Sequence, residues 1–263
     1  MASEVERDRV ATLPQEMERH TYAIMYEVEG SHWWFAGRRR ILESFVEEIV
    51  ANLNLHGRQP RILDVGCGTG ANLEMLAQFG YAEGVDVSED ALAFCRARGL
   101  NEVKLGAAER LPYDDSSFDL VTALDVVEHL DDDRAGLREM RRVLRPGGRV
   151  LLFVPAFMWL WGVQDDVSNH RRRYTLPQLT ERVRAAGFEV ERGTYANLTF
   201  FAPILAGRLL MRATGARPAS ENNINVPALN GVLGQLFGAE RFWLRRLNFP
   251  FGVSAVCVAR RMD

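Results

Sequence analysis

Cysteine is scarce in this 263-residue chain, with only Cys67, Cys95 and Cys257, widely separated in sequence. That number and spacing support neither a disulfide framework nor a zinc-ligand set, and a reducing, cytoplasmic setting is expected. Charge of one sign is also lacking. A formal net charge of -3 is far from the basic surplus that marks nucleic-acid binders, so no such partner is expected and any anionic ligand must be met locally. Met1 to His20 is charged throughout and has no apolar core of a secretory leader, so no targeting segment is expected. The longest apolar stretches, around Val150 to Trp161 and Ala196 to Gly207, are broken by Pro155 and Pro203. Both fall short of the ~20 residues a spanning helix needs, which leaves contact with a membrane surface as the only membrane role to consider. No repeat, low-complexity tract or linker interrupts the chain.

What is present is ample core material, with 47% hydrophobic and 10% aromatic residues. It is organised around Arg61-Ile-Leu-Asp-Val-Gly-Cys-Gly-Thr-Gly70. A short β-branched and aliphatic run bounded by Pro60 and glycines reads as a buried parallel strand. The glycines let a ligand approach the backbone, and Ala71 to Phe79 continues at helical spacing, which sets a helix N-terminus just beyond the turn. Further strands are predicted at Ala82 to Val87, Glu102 to Leu105, Phe118 to Leu124, Arg149 to Pro155, Phe188 to Tyr195 and Val253 to Arg260. Helices are expected between them: one capped by Ser88 and ending at Gly99, one over Asp131 to Leu144, and one opened by the capping box Thr175-Leu-Pro-Gln178 and ending near Gly187. This alternation implies right-handed crossovers and a parallel sheet covered on both faces. Ahead of it, Ile41, Leu42, Phe45, Val46, Ile49 and Val50 recur at the spacing of an amphipathic helix. A loop is expected around Ala216 to Pro227.

The chemistry follows from order. Asp86, ending the second strand, lies 22 residues after Asp64, close to the ~20 at which a strand-end carboxylate reaches the ribose hydroxyls of a bound nucleoside. The glycine turn alone leaves NAD and S-adenosylmethionine both open. The succession Asp-x-Gly-x-Gly-x-Gly, then Gly84-Val-Asp86-Val-Ser88, then Leu111-Pro-Tyr-Asp-Asp-Ser-Ser-Phe-Asp119, then Asp125-Val-Val-Glu-His-Leu130, then Leu144-Arg-Pro-Gly-Gly148 resembles the class I, Rossmann-like methyltransferases that use S-adenosylmethionine. It does so closely from Arg61 to Pro155. The resemblance implies an α/β fold with a seven-stranded sheet, mostly parallel with the last strand antiparallel. It also implies one methyltransferase domain over 1–263, composed of an N-terminal helical cap (1–58), a cofactor-binding core (60–195), a helical insertion (196–248) and a last strand (249–263).

It further implies site residues. Asp64, Gly66, Cys67, Gly68, Gly70 and Asn72 would receive the methionine end of S-adenosylmethionine, and Asp86 with Val87 the ribose. Ala108 and Glu109 would frame adenine, although relatives often carry an acid where Ala107 stands here. Leu124, Asp125 and His129 would line the methyl-donating side. Glu128 and His129 alone are too few ligands for a metal, and none is expected. The loop from Gln164 to Tyr174 follows the fifth strand, where loops form the ligand crevice. His170 is therefore the candidate general base and Arg171 to Arg173 an anion clamp, against the plainer reading of a solvated basic face. Trp33, Trp34 and Arg38, with Arg171 and Tyr174, are candidate substrate contacts. The aromatic cluster is either a water-excluding lid or the buried face of a helix, and two adjacent tryptophans that cannot share one core favour the lid. With Asn169 to Tyr174 it resembles a bacterial branch that works beside glycosyltransferases on envelope glycolipids. The expected acceptor is an oxygen of a small molecule, lipid or lipid-linked sugar, covered by the apolar insertion.

Overall fold

In the computed structural model, residues 19–215 and 227–263 are described; the expected loop at 216–226 and the segment 1–18 lie outside them. Seven strands form one sheet in the order β3-β2-β1-β4-β5-β7-β6: β1 Arg61–Val65, β2 Tyr81–Asp86, β3 Val103–Leu105, β4 Phe118–Leu124, β5 Leu144–Pro155, β6 Phe188–Ala196 and β7 Ser254–Arg261. The first five are mutually parallel, and β7 inserts antiparallel between β5 and β6. The sheet order reverses beside β1, because β2 and β4 flank it on opposite sides. A crevice therefore opens at the carboxyl ends of β1 and β4, the position at which doubly wound sheets bind ligands.

Local chemistry sets the boundaries. The helix expected over Asp131 to Leu144 runs Asp133–Val143, capped by Asp132, whose Oδ1 accepts from the Arg134 and Ala135 amides at 3.1 and 3.0 Å. Thr175 and Gln178 close the expected capping box before Leu176–Ala185. The Arg145-Pro-Gly-Gly148 turn is absorbed into β5 as an irregularity: Leu144 pairs with Phe118, Arg149 with Leu120, and the residues between bulge out on Gly147 at φ +77. Arg145 and Arg58 hold this corner by pairing with Asp119.

Among the described residues, α1 (Arg19–Val28) and α2 (Trp33–Ala51) precede the sheet. The apolar stripe of α2, with Ile41, Leu42, Phe45 and Val46 all buried, packs on Ile62, Leu120, Leu151 and Phe153 of the central strands. Burial on this scale contributes about 1.5–3 kcal/mol per large side chain and fixes the helix over the sheet. The insertion forms α3 (Phe201–Thr214), α4 (Pro227–Gly238) and the short α5 (Glu240–Leu244). Phe237 of α4 is buried among the α2 residues, where Gly37 leaves room for its ring. The cap and the insertion thus share one core above the crevice. Among the described residues, no helix is long and apolar enough to cross a membrane.

Candidate active site

A cavity of about 680 Å³ lies at the crevice, roofed by α1 and α2 and walled on one side by the insertion. Its floor is the glycine turn. Gly66, Gly68 and Gly70 all take positive φ, +67, +54 and +92, a region that side chains other than glycine rarely occupy. They differ in what surrounds them. A Cβ on Gly66 would meet Val126 and one on Gly70 would meet Leu100 and Cys95, whereas a Cβ on Gly68 would meet no protein atom within 4 Å. Gly68 faces open cavity. Its amide donates to Asp86 Oδ2 at 2.9 Å, and the Ser88 amide donates to Asp86 Oδ1 at 3.0 Å, so backbone amides help to aim the carboxylate at the end of β2.

Asp64 is buried at the end of β1. Its Oδ1 accepts from the Thr122 hydroxyl at 2.6 Å, while Oδ2 has no partner among the described residues. Burial pushes its carboxyl up to about 7 despite the Thr122 bond and the nearby Arg38. Arg38 pairs with Asp125 at 2.7 Å and lies over the Phe153 ring. Asp125 itself stands at φ +60, and burial raises its carboxyl against the pull of Arg38.

The roof is pinned to the floor by Glu29. Thr69 of the glycine turn donates to the Glu29 carboxylate, Arg98 pairs with the same oxygen at 2.5 Å, and Arg98 also donates to the Thr69 carbonyl at 2.8 Å. Nothing in the spacing of the sequence marks Glu29, which follows α1; the partners of its carboxylate come from the glycine turn and from Arg98 at the end of the helix after β2. Trp33 and Trp34 both line the cavity and both remain half-buried against the α2 core, so lid and buried face are one arrangement.

His170 also lines the cavity. Its Nδ1 lies 2.8 Å from Asp165 Oδ1, and Asp165 is fully buried, forked by Arg173 at 2.7 and 2.9 Å and bonded by the Gly162 amide. Burial alone would raise the Asp165 carboxyl, but His170 and Arg173 hold it at about 2. A charged carboxylate fixing one imidazole nitrogen leaves the other to face the cavity. The His129 ring stands perpendicular to that of His170 at 4.6 Å. Burial depresses His129 to about 3.

A methyltransferase domain model matches residues 63–152. A ubiquinone/menaquinone biosynthesis C-methyltransferase of Cupriavidus metallidurans is 32% identical over 173 residues, covering 62% of this chain and 68% of that protein. The chain belongs to the S-adenosylmethionine-dependent methyltransferases. A demethylmenaquinone methyltransferase of Chlorobaculum tepidum is 40% identical over 101 residues, 37% of this chain and 42% of the relative. Among solved structures, the 4+2 cyclase SpnF matches with a TM-score of 0.52 at 25% identity, over 84% of this chain and 80% of its own. The chain spans about half the length of the curated relatives it first matches, 42% to 52%.

The cavity fits the cofactor of this methyltransferase family. The open face of Gly68, the carboxylate of Asp86 and the half-buried Glu109, whose Oε2 meets no donor among the described residues, line it, with the unpartnered Asp64 Oδ2 buried behind the glycine turn. Gly66, Cys67, Asn72, Val87, Ala108, Leu124, Asp125 and His129 line the cavity, as do Trp33, Trp34, Arg38, His170 and Arg171. Three expected residues do not. Gly70 shapes the turn from behind, and Asp64 reaches the turn only from beneath. Tyr174 is buried, its hydroxyl donating to Asp133 at 2.8 Å, so it braces the helix that starts there and does not line the cavity. Of the expected anion clamp, Arg171 and Arg173 line the cavity, and all three arginines carry ion pairs: half-exposed Arg171 with Asp131, Arg172 with Asp133 and Arg173 with Asp165. Cys67 and Cys95, distant in sequence, come within 4.0 Å as buried free thiols because the turn and the helix after β2 pack together.

Proposed function

We propose that this chain transfers the methyl group of S-adenosylmethionine to an oxygen of a small-molecule, lipid or lipid-linked sugar acceptor. The reading is carried by one observation: His170, held by the Asp165–Arg173 pair, faces the same cavity as the cofactor residues at the glycine turn and Asp86. Bound S-adenosylmethionine supplies a sulfonium carbon open to in-line attack. The residues of the chain do the rest. Asp86 offers two acceptor oxygens to two ribose hydroxyls, the α1 and α2 roof excludes water, and the cavity walls align the nucleophile. An attacking hydroxyl must lose its proton, and His170 is the group placed to promote that loss.

The insertion supports an acceptor with apolar character, since Phe200, Pro203, Ile204, Met211 and Leu233 form its side of the cavity. The Cupriavidus relative is named a carbon methyltransferase, so the atom methylated is the point to test. The protein is incubated with methyl-labelled S-adenosylmethionine and a cell-envelope extract, and the labelled product is extracted and examined by NMR. An O-methyl resonance in a lipid-soluble product is expected; label only on carbon would overturn the oxygen assignment.

A further inference from the structure

Glu128 is an outlier among the acids of this protein. It is 0% exposed, follows β4 in the short turn Val127–His129, and neither of its carboxylate oxygens meets a donor from any other described residue. A buried carboxylate without a partner is costly and rare unless a cation or water completes it. Beside it are two imidazoles, each tethered by one side only. His170 is held through Nδ1 by Asp165, and His129 bonds the backbone of Ser168. That is the arrangement by which ligating histidines are oriented, one ring nitrogen on a carboxylate or carbonyl and the other on the metal. One ligand atom from each of Glu128, His129 and His170 falls within 4.8 Å of the others, so a small rotation of side chains closes them to the 2.0–2.2 Å bonds that a divalent ion makes to nitrogen and carboxylate oxygen.

We propose that Glu128, His129 and His170 bind a divalent transition-metal cation at the wall of the active-site cavity. Two imidazoles and one carboxylate suit Zn²⁺ or Mn²⁺ better than oxygen-seeking Mg²⁺. His129 and His170 line the cavity, so the remaining positions of the cation face the acceptor. Its role, though not its binding, rests on the methyl-transfer reading. The cation polarises the acceptor oxygen, which attacks the sulfonium methyl; the carbon–sulfur bond breaks with its electron pair going to sulfur, and the hydroxyl proton leaves to water. His170 thus promotes proton loss as a ligand.

The test is calorimetric titration of the chelator-treated full chain with Zn²⁺ and with Mn²⁺. One equivalent should bind. His129→Ala and the isosteric Glu128→Gln should each weaken binding more than about tenfold, and Asp165→Asn by about 10–100-fold through loss of ring orientation. Binding of S-adenosylhomocysteine by each variant reports that it is folded. Failure of both ions to bind, or binding unchanged in His129→Ala and Glu128→Gln variants that still bind S-adenosylhomocysteine, would overturn the proposal. A wild-type chain that binds metal but not S-adenosylhomocysteine would instead overturn the methyltransferase reading and leave the metal site standing.

Discussion

Gly68→Ala separates the fold from the cofactor. Gly68 holds φ +54, and a Cβ there meets no protein atom within 4 Å, so the substitution costs only the left-handed backbone penalty of about 1–2 kcal/mol. For a chain of this size that lowers the melting temperature by roughly 2–8 °C. The amide still donates to Asp86. The added methyl group, however, stands in the space that the cofactor must enter, so calorimetric affinity for S-adenosylhomocysteine should fall at least about tenfold, or about 1.4 kcal/mol. Gly66→Ala is the contrast. Its Cβ would lie 2.5 Å from Val126 Cγ2, which adds about 1–3 kcal/mol of overpacking to the same backbone strain and should show chiefly as lost stability. A Gly68→Ala protein that is folded and binds S-adenosylhomocysteine as the wild type does would refute the placement of the cofactor at this turn.

Asp64→Asn tests the buried acid. Because burial raises its carboxyl from 3.8 to about 7, the folded chain keeps a proton that the unfolded chain has lost. The associated stability is complete below pH 3.8 and disappears as the pH rises through about 7. The variant should therefore gain stability over wild type at pH 8 and none at pH 3.5, as read by denaturant titration. His170→Ala should lower kcat by about 10²–10⁴-fold with little change in S-adenosylhomocysteine affinity, since the proposed function gives His170 to the acceptor; equal loss of both would refute that division. Glu29→Gln frees Arg98 and Thr69 and should loosen α1, costing about 1–3 kcal/mol locally. Hydrogen exchange over Tyr22 to Val28 should accelerate while β4 stays protected.

The sheet was legible because its signals are local. Ile62 to Val65, the three glycines and the capping residues Ser88 and Thr175 each announce an element within a few residues, and the alternation of strands and helices implies a parallel sheet with right-handed crossovers. Even so, the helix expected from Asp131 begins at Asp133, because hydrogen bonds of the fold make Asp132 its cap. The site was legible where one motif supplies the whole contact, as at Gly68 and Asp86. It was not where partners meet from separate elements. Tyr174, Arg172 and Arg173 look like substrate contacts in a run of basic and aromatic residues, and only the fold shows Asp133 and Asp165 beneath them. Glu29 has no signature because Thr69 and Arg98 reach it across the molecule. The pair Glu128-His129 supplies too few ligands in sequence, and the loop after β5 brings His170 to it.

A fold shared with the 4+2 cyclase SpnF leaves chemistry to be shown by turnover. The decisive measurement is the time course of S-adenosylhomocysteine release and methyl-label transfer when the protein, methyl-labelled S-adenosylmethionine and an envelope extract are combined. Label should appear in extracted product in step with S-adenosylhomocysteine, and both should nearly vanish with His170→Ala. Tight cofactor binding with no label transferred and no S-adenosylhomocysteine formed would contradict the assignment of methyl transfer to this cavity.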